Sequence, residues 1–116
     1  MDNRKNYHHD RIQQAMLIIL GNTLKEEIYD PVLKLATFTD IRLTNDYSQA
    51  TIFVDTYDRK QIEKVVETCQ KAQGVFKTAL ARQLEIRKIP DLIFERDRSI
   101  DQSLEIERLI RDIHKK

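Results

Sequence analysis

The chain has 116 residues, of which 41% are hydrophobic and 34% charged, and its formal net charge is +1. This composition predicts one domain, residues 1–116, with frayed ends at about 1–7 and 112–116. The one cysteine excludes an internal disulfide and suits a reducing compartment. The longest apolar run, Ala15 to Leu20, is far too short to span a membrane. We therefore expect a cytoplasmic protein.

The first half of the chain predicts a helix followed by a hairpin. Apolar side chains recur at helical spacing until Asp30-Pro31, where proline stops the helix: Ile12, Ala15, Met16, Ile19, Leu20, Thr23, Leu24 and Ile28. The period then becomes two, which predicts strands over Ala36–Leu43 and Ala50–Tyr57. In the first strand, one face would carry Thr37, Thr39, Ile41 and Leu43; in the second, Ala50, Ile52, Val54 and Thr56. The turn formers at 44–48 join the two strands as an antiparallel hairpin.

The second half predicts two helices from Arg59 to about Ile86, joined through Ala72-Gln73-Gly74. Gly74 interrupts the apolar stripe and marks a kink, a helix end or a close approach of another backbone. A strand, Leu92 to Glu95, and a last helix, Ser99 to Lys116, follow, the helix with Ile106, Leu109, Ile110 and Ile113 on one face. This order predicts an α+β fold with a helix layer on one face of a three-stranded mixed sheet.

Charge is distributed unevenly along the chain. Residues 71–88 hold five basic side chains against one acidic side chain, a net charge of +4, whereas residues 26–58 hold seven acidic against two basic, a net charge of −5. The five basic residues, which could bind phosphates or form an ordinary solvated face, are Lys71, Lys77, Arg82, Arg87 and Lys88.

No pattern in the sequence predicts catalysis, a metal or a cofactor. His8, His9 and Asp10 lack the spacing of a closed metal site, so we expect solvated histidines. Neither glycine lies in a phosphate-binding loop. A metal-dependent nuclease would need clustered carboxylates, and the candidates occur where hairpin edges and turns favour them in any case: Asp40, Asp46, Asp55 and Asp58. We expect these to be structural.

The run Thr39 to Val54 resembles the hairpin of the ribosome-binding factor A family of bacterial small-subunit assembly factors. Three further segments resemble that family: Ile28-Tyr29-Asp30-Pro31 its first helix end, Ala72-Gln73-Gly74 its Ala-x-Gly kink, and Arg87, Pro90, Leu92, Phe94 and Asp97 its last strand. Ile106, Leu109 and Ile110 resemble its terminal helix. The similarity covers roughly residues 4 to 111 in one order.

This resemblance implies a two-layer type II KH-like domain, in which the kink stands where other KH domains clamp the nucleotide backbone. It also implies a non-enzymatic factor that binds ribosomal RNA on free small subunits late in maturation, and we expect it to be a monomer. Such a factor supports precursor ribosomal RNA processing near the 5′-terminal helix, takes part in cold adaptation and is released by an assembly GTPase. On this basis the five basic residues contact phosphates, Ala72 and Gly74 set the interhelical angle, and Arg42 is a further contact.

Three positions depart from the family pattern. Val32 stands where the family usually has Arg after Asp-Pro, Ser103 where it usually has Gly, and Lys77 where Arg is common. Because lysine cannot form the two parallel bonds of arginine, the contact at Lys77 is expected to be weaker. An alternative interpretation from another class is a protein-interaction module that docks a ribosomal protein or assembly factor through the acidic hairpin.

Overall fold

The computed structural model describes the backbone of residues 3–99 and the side chains of residues 7–99. Within that part of the chain the helices are α1 (Asn3–Glu26), α2 (Ile62–Lys71) and α3 (Gln73–Gln83). The strands are β1 (Thr37–Leu43), β2 (Gln49–Asp55) and β3 (Asp91–Arg96), and 3₁₀ turns at Leu33–Leu35 and Arg59–Gln61 precede β1 and α2. The predicted last helix, with Ile106, Leu109, Ile110 and Ile113, lies outside the described residues, as does Ser103.

The three strands form one mixed sheet in the order β1-β2-β3. β1 runs antiparallel to β2, with Ile41 opposite Ile52, and β3 runs parallel to β2, with Phe94 beside Ile52. These side chains are buried on the face that the helices cover, where α1 packs on β1 and α2 on β3. The predicted hairpin, crossover and α+β architecture are confirmed. The inward face of β2, from Ala50 to Thr56, is also as predicted.

β1 departs from the predicted alternation because it contains a β-bulge. The register shifts between Phe38 and Asp40, so that Thr39 is an extra residue outside the Cα pairing with β2. Beyond the bulge Ile41 and Leu43 face the core as expected, but before it Phe38 faces the core and Thr37 does not. One inserted residue reverses the side on which all preceding side chains lie. The prediction that Thr37 and Thr39 share the inner face was therefore wrong.

α1 is longer at its start than predicted and ends earlier. Its helical backbone begins at Asn3, and the fraying of the first residues stays a prediction. The helix ends at Glu26, before Asp30-Pro31. Asp30 instead starts the next turn, because its Oδ1 accepts a hydrogen bond of 2.8 Å from the backbone N–H of Val32. Pro31 thus lies in the turn that leads to the 3₁₀ turn at Leu33–Leu35, after the helix has already ended.

Three aromatic rings fix α3 against the sheet. Phe76 of α3 is fully buried, with its ring centroid 5.4 Å from that of Phe38 and 5.5 Å from that of Phe94. Cys69 lies in the same core, and burial raises the pKa of its thiol to about 12. The cysteine is therefore a small core side chain, as the sequence predicted. Val75, predicted to be on the buried stripe, is 47% exposed.

Side chains from the helices hold the outer sides of β1 and β3. Gln70 of α2 donates to the carbonyl of Leu92 and accepts from the N–H of Phe94, both at 2.9 Å. On β1, Gln13 accepts from the N–H of Leu43 at 2.8 Å, and His9 Nε2 lies 2.8 Å from the same residue's carbonyl oxygen. Because that oxygen only accepts, Nε2 carries the proton. The prediction of a solvated His9 was therefore wrong.

Candidate nucleic-acid interface

The bend between α2 and α3 is one residue long and centres on Ala72. Ala72 has φ −92° and ψ 9°, and its N–H donates to the carbonyls of Thr68 and Cys69, both at 3.1 Å. Its own carbonyl accepts from the N–H of Val75 at 3.0 Å, in the first turn of α3. The bend thus keeps its backbone groups hydrogen-bonded, so it is a defined angle held by ordinary turn geometry.

Gly74 does not produce this bend. It is the second residue of α3, its φ is not positive, and a Cβ atom placed there would have no neighbour within 4 Å. None of the conformations that require glycine occurs at this position. The prediction that Gly74 sets the interhelical angle was wrong, and Ala72 alone occupies the junction. Gly74 remains an exposed position in the first turn of α3.

Three of the five predicted basic residues form ion pairs within the fold. Lys71 pairs with Glu67 one turn earlier, with 3.2 Å between nitrogen and oxygen, and both side chains are exposed. An exposed pair of this kind contributes at most about 1 kcal/mol, so a phosphate could replace the carboxylate. The other two pairs link separate elements.

Lys77 joins α3 to the first residue of β3. Its Nζ lies 3.0 Å from Asp91 Oδ1, and the lysine side chain is only 33% exposed. The hydrogen bond and charge of Lys77, followed by the charge of Lys88, lower the pKa of Asp91 below its usual value. The structure therefore brings Lys77 and Lys88 together around one carboxylate.

Arg82 joins the last turn of α3 to the residue after α1. Its guanidinium lies 2.9 Å from Glu27 Oε2. Nearby in sequence, Val32 is half-buried against the core. The predicted basic surface is thus partly neutralised by acidic residues that are distant in sequence.

Arg87 and Lys88 lie in the connection between α3 and β3, and both are exposed. Neither forms an ion pair with any side chain in the described part of the chain. They line a cleft of about 480 Å³ between this connection, the start of α1 and the β1–β2 turn. We call it the turn cleft; its other lining residues are His8, Ile12, Asp46, Tyr47, Ser48, Glu85 and Ile86.

Arg42 lies apart from the other predicted basic residues. It is exposed on β1 between the buried Ile41 and Leu43, so it projects from the sheet face opposite the helices. Its guanidinium carbon is 5.8 Å from the ring centroid of Phe53 on the same face. The structure therefore does not bring Arg42 together with the five basic residues of α2, α3 and the α3–β3 connection.

The four carboxylates considered for metal binding are engaged separately within the fold. Asp40 accepts from the backbone N–H of Ile41, Asp58 from that of Lys60, and Asp55 pairs with Arg59 at 2.9 Å. No group of three or more potential metal ligands occurs among residues that the structure describes. Docking of a protein partner through this acidic segment stays a prediction.

The β1–β2 turn contains two features that the sequence did not reveal. Asp46 Oδ1 accepts bonds from the hydroxyls of Thr44 and Ser48, both at 2.8 Å, and from the Ser48 N–H at 3.1 Å. These bonds, the Ser48 hydroxyl first, lower the pKa of Asp46 from 3.8 to about 2. Tyr47 has φ 61°, and its ring centroid lies 5.5 Å from that of His9. A run of turn formers predicts a turn, but it does not predict that a tyrosine within the turn adopts the left-handed backbone conformation.

No helix in the described residues is both long and apolar enough to cross a membrane. The helix layer on one face of the β1-β2-β3 sheet, with the bend at Ala72, defines an α+β domain of the KH-like type.

Comparison with known proteins identifies the family. The model of the family "Ribosome-binding factor A" matches residues 8–110. Ribosome-binding factor A of Mycoplasma genitalium is 39% identical over 107 residues, which cover 92% of this chain and 96% of that protein. The chain therefore belongs to the ribosome-binding factor A family.

Solved structures agree on the fold. The crystal structure of ribosome-binding factor A from Thermus thermophilus superposes with a TM-score of 0.70 at 24% identity, covering 78% of this chain and 98% of that one. A Thermus thermophilus homology model fitted into the cryo-EM map of a 30S complex gives a TM-score of 0.62 at 24% identity, over 76% and 93% of the two chains. The resemblance read from the sequence is confirmed.

Proposed function

We propose that this protein binds free small ribosomal subunits late in their assembly and supports processing of the precursor small-subunit ribosomal RNA. Membership of the ribosome-binding factor A family over residues 8–110 carries this proposal. The Thermus thermophilus relative fitted into a map of a 30S complex supports the small subunit as the partner. The protein acts by binding, without a catalytic residue or cofactor, and its contact lies near the 5′-terminal helix of the RNA.

The proposed RNA-binding surface is centred on the α3–β3 connection. Arg87 and Lys88 are exposed and form no ion pair among the described residues, although the charge of Lys88 acts on Asp91. They can therefore bind phosphates without first breaking an ion pair. Lys71 can also bind a phosphate once it leaves Glu67, its exposed ion-pair partner. Lys77 and Arg82 would have to exchange Asp91 and Glu27 for phosphates.

The remaining predicted contacts have different roles in this proposal. Ala72 fixes the angle at which α3 leaves α2, and Gly74 leaves the first turn of α3 uncovered. Arg42 would reach RNA only where the RNA also passes the opposite face of the sheet.

Salt dependence tests the phosphate contacts. If about four phosphates are neutralised, the logarithm of affinity for purified small subunits should fall with the logarithm of salt concentration at a slope near −3. The double variant Arg87→Glu and Lys88→Glu should weaken binding by at least about tenfold at physiological salt, because two attractions become repulsions. Lys60→Glu, an exposed charge reversal in the turn before α2, is the matched control. A flat salt response, or equal loss in the control, would overturn the proposal.

The family resemblance extends the proposal to the cellular cycle of the protein. We place it in the cytoplasm as a monomer, released from the maturing subunit by an assembly GTPase and needed most in the cold. Deleting its gene should lead to accumulation of precursor small-subunit RNA, more at low temperature, which primer extension at the RNA 5′ end would measure.

A further inference from the structure

The turn cleft holds an aromatic ring in a backbone conformation that is costly for its residue type. Tyr47 has φ 61°, a region in which glycine and asparagine are the usual residues. The three hydrogen bonds on Asp46 Oδ1 organise the turn around it. The ring is half-buried, packed near His9 on one side, and it lines the cleft. The turn therefore presents this ring at a fixed place.

The cleft has the size and the lining of a ligand site. Its volume of about 480 Å³ lies within the range of small-molecule pockets, roughly 300–1,000 Å³. Ile12 and Ile86 provide apolar walls beside Tyr47. Flat aromatic and apolar walls suit the face of a nucleobase, which stacks on tyrosine regardless of its sequence.

The charges at the cleft favour a phosphate at one side. Arg87 and Lys88 line the cleft and form no ion pair among the described residues. Two carboxylates also line it, but that of Asp46 is engaged by three hydrogen bonds of the turn. The Asp46 carboxylate keeps its negative charge in the hairpin turn, whereas the α3–β3 connection lines the cleft with two cations, Arg87 and Lys88, against Glu85 alone. A nucleotide can place its base against the ring and its phosphate against the cations.

We propose that the turn cleft binds one unpaired nucleotide of RNA, with its base stacked on Tyr47 and its phosphate held by Arg87 and Lys88. This inference rests on the proposed RNA-binding function and adds to it a preference for single-stranded RNA at a defined place. A duplex cannot insert a base into the cleft without unpairing it, so duplex RNA gains only the phosphate contacts.

The test compares variants of the full chain in binding to a fluorescent single-stranded cytidine decamer and to a blunt duplex of equal length. Tyr47→Asn fits the left-handed turn and removes the ring, so it should weaken decamer binding about tenfold and leave duplex binding unchanged. Tyr47→Phe keeps the ring and should bind within about twofold of the wild type, since stacking needs no hydroxyl. Tyr57→Asn is the control, because Tyr57 is fully exposed at the far end of β2.

The outcomes separate this inference from the proposed function. If Tyr47→Asn binds the decamer as the wild type does, the nucleotide site is wrong, even where Arg87→Glu and Lys88→Glu still weaken binding to small subunits. Loss of duplex and decamer binding to the same degree in Tyr47→Asn would also overturn it. If the wild type binds the decamer through Tyr47 but does not bind small subunits, the cleft stands and the proposed ribosomal function fails.

Discussion

The α2–α3 bend and the α3–β3 connection both contribute basic residues to the proposed interface. The two regions differ in whether these residues already form ion pairs within the fold. At and after the bend, Lys71, Lys77 and Arg82 each have a carboxylate partner within about 3 Å. In the connection, Arg87 and Lys88 have no such partner among the described residues. Two of the partners, Glu27 and Asp91, are distant in sequence. The difference teaches that a charge count along the chain overstates the charge that a ligand would meet.

The largest expected effect comes from removing the ring that holds both regions in place. Phe76→Ala should lower the free energy of unfolding by about 3–5 kcal/mol, because the ring is fully buried between Phe38 and Phe94. Urea unfolding followed by circular dichroism measures this. Val75→Ala, at the half-exposed neighbouring position, should change it by about 0.5 kcal/mol or less. Similar costs for the two variants would contradict the assigned packing of α3.

Neutral substitutions test the difference in available charge directly. Arg87→Gln with Lys88→Gln should reduce the magnitude of the salt slope for subunit binding by about 1.5, since about four phosphate contacts give a slope near −3. Lys77→Gln with Arg82→Gln should reduce it by less than about one, because those side chains must first leave Asp91 and Glu27. Titrations at several salt concentrations measure both slopes. Equal reductions would remove the distinction between the two regions.

Gly74→Ala tests whether the bend depends on glycine. The position is helical and open, so alanine should raise the free energy of unfolding by about 0.5–1 kcal/mol. Ala81→Gly, at an exposed site of the same helix, is the mirror control and should lower it by a similar amount. If Gly74→Ala lowers the free energy of unfolding, the bend does depend on Gly74.

The smallest effect concerns the turn below the cleft and depends on pH. The folded pKa of Asp46 lies near 2, below its ordinary 3.8, so its carboxylate stabilises the fold above pH 3.8 and this stabilisation is lost as pH falls through 2. Asp46→Asn should therefore lower the melting temperature at pH 7, and the difference from the wild type should shrink between pH 4 and 2. If the difference in melting temperature stays constant over this range, the Asp46 carboxylate is not stabilised by the hydrogen bonds of the turn.

The order of elements was predictable because its signals are local. The alternation in β2 and the helical spacing in α2 lie within single segments, and both match the structure. The β1 alternation failed at Thr39, because the bulge is defined by pairing with a strand more than ten residues away. Gly74 was misread because a glycine signals freedom of the backbone without showing whether the fold uses it.

Half of the candidate site could not be predicted for a similar reason. The basic residues were visible in the sequence, but the pairing of Arg82 with Glu27 spans 55 positions. The turn cleft joins the start of α1, the hairpin turn and the α3–β3 connection, which only the folded chain brings together. His9 near the terminus looked solvated because its partner, the Leu43 carbonyl, is 34 residues away.

The glutamine and histidine contacts on the two outer strands have a consequence for how this protein meets others. Unpaired strand edges invite a strand from another chain, which leads to aggregation or to sheet extension between subunits. Gln70 occupies the free backbone groups of Leu92 and Phe94, and Gln13 with His9 occupies those of Leu43. A strand added at either edge would have to displace them. At these positions the contacts therefore disfavour edge-to-edge association of the sheet.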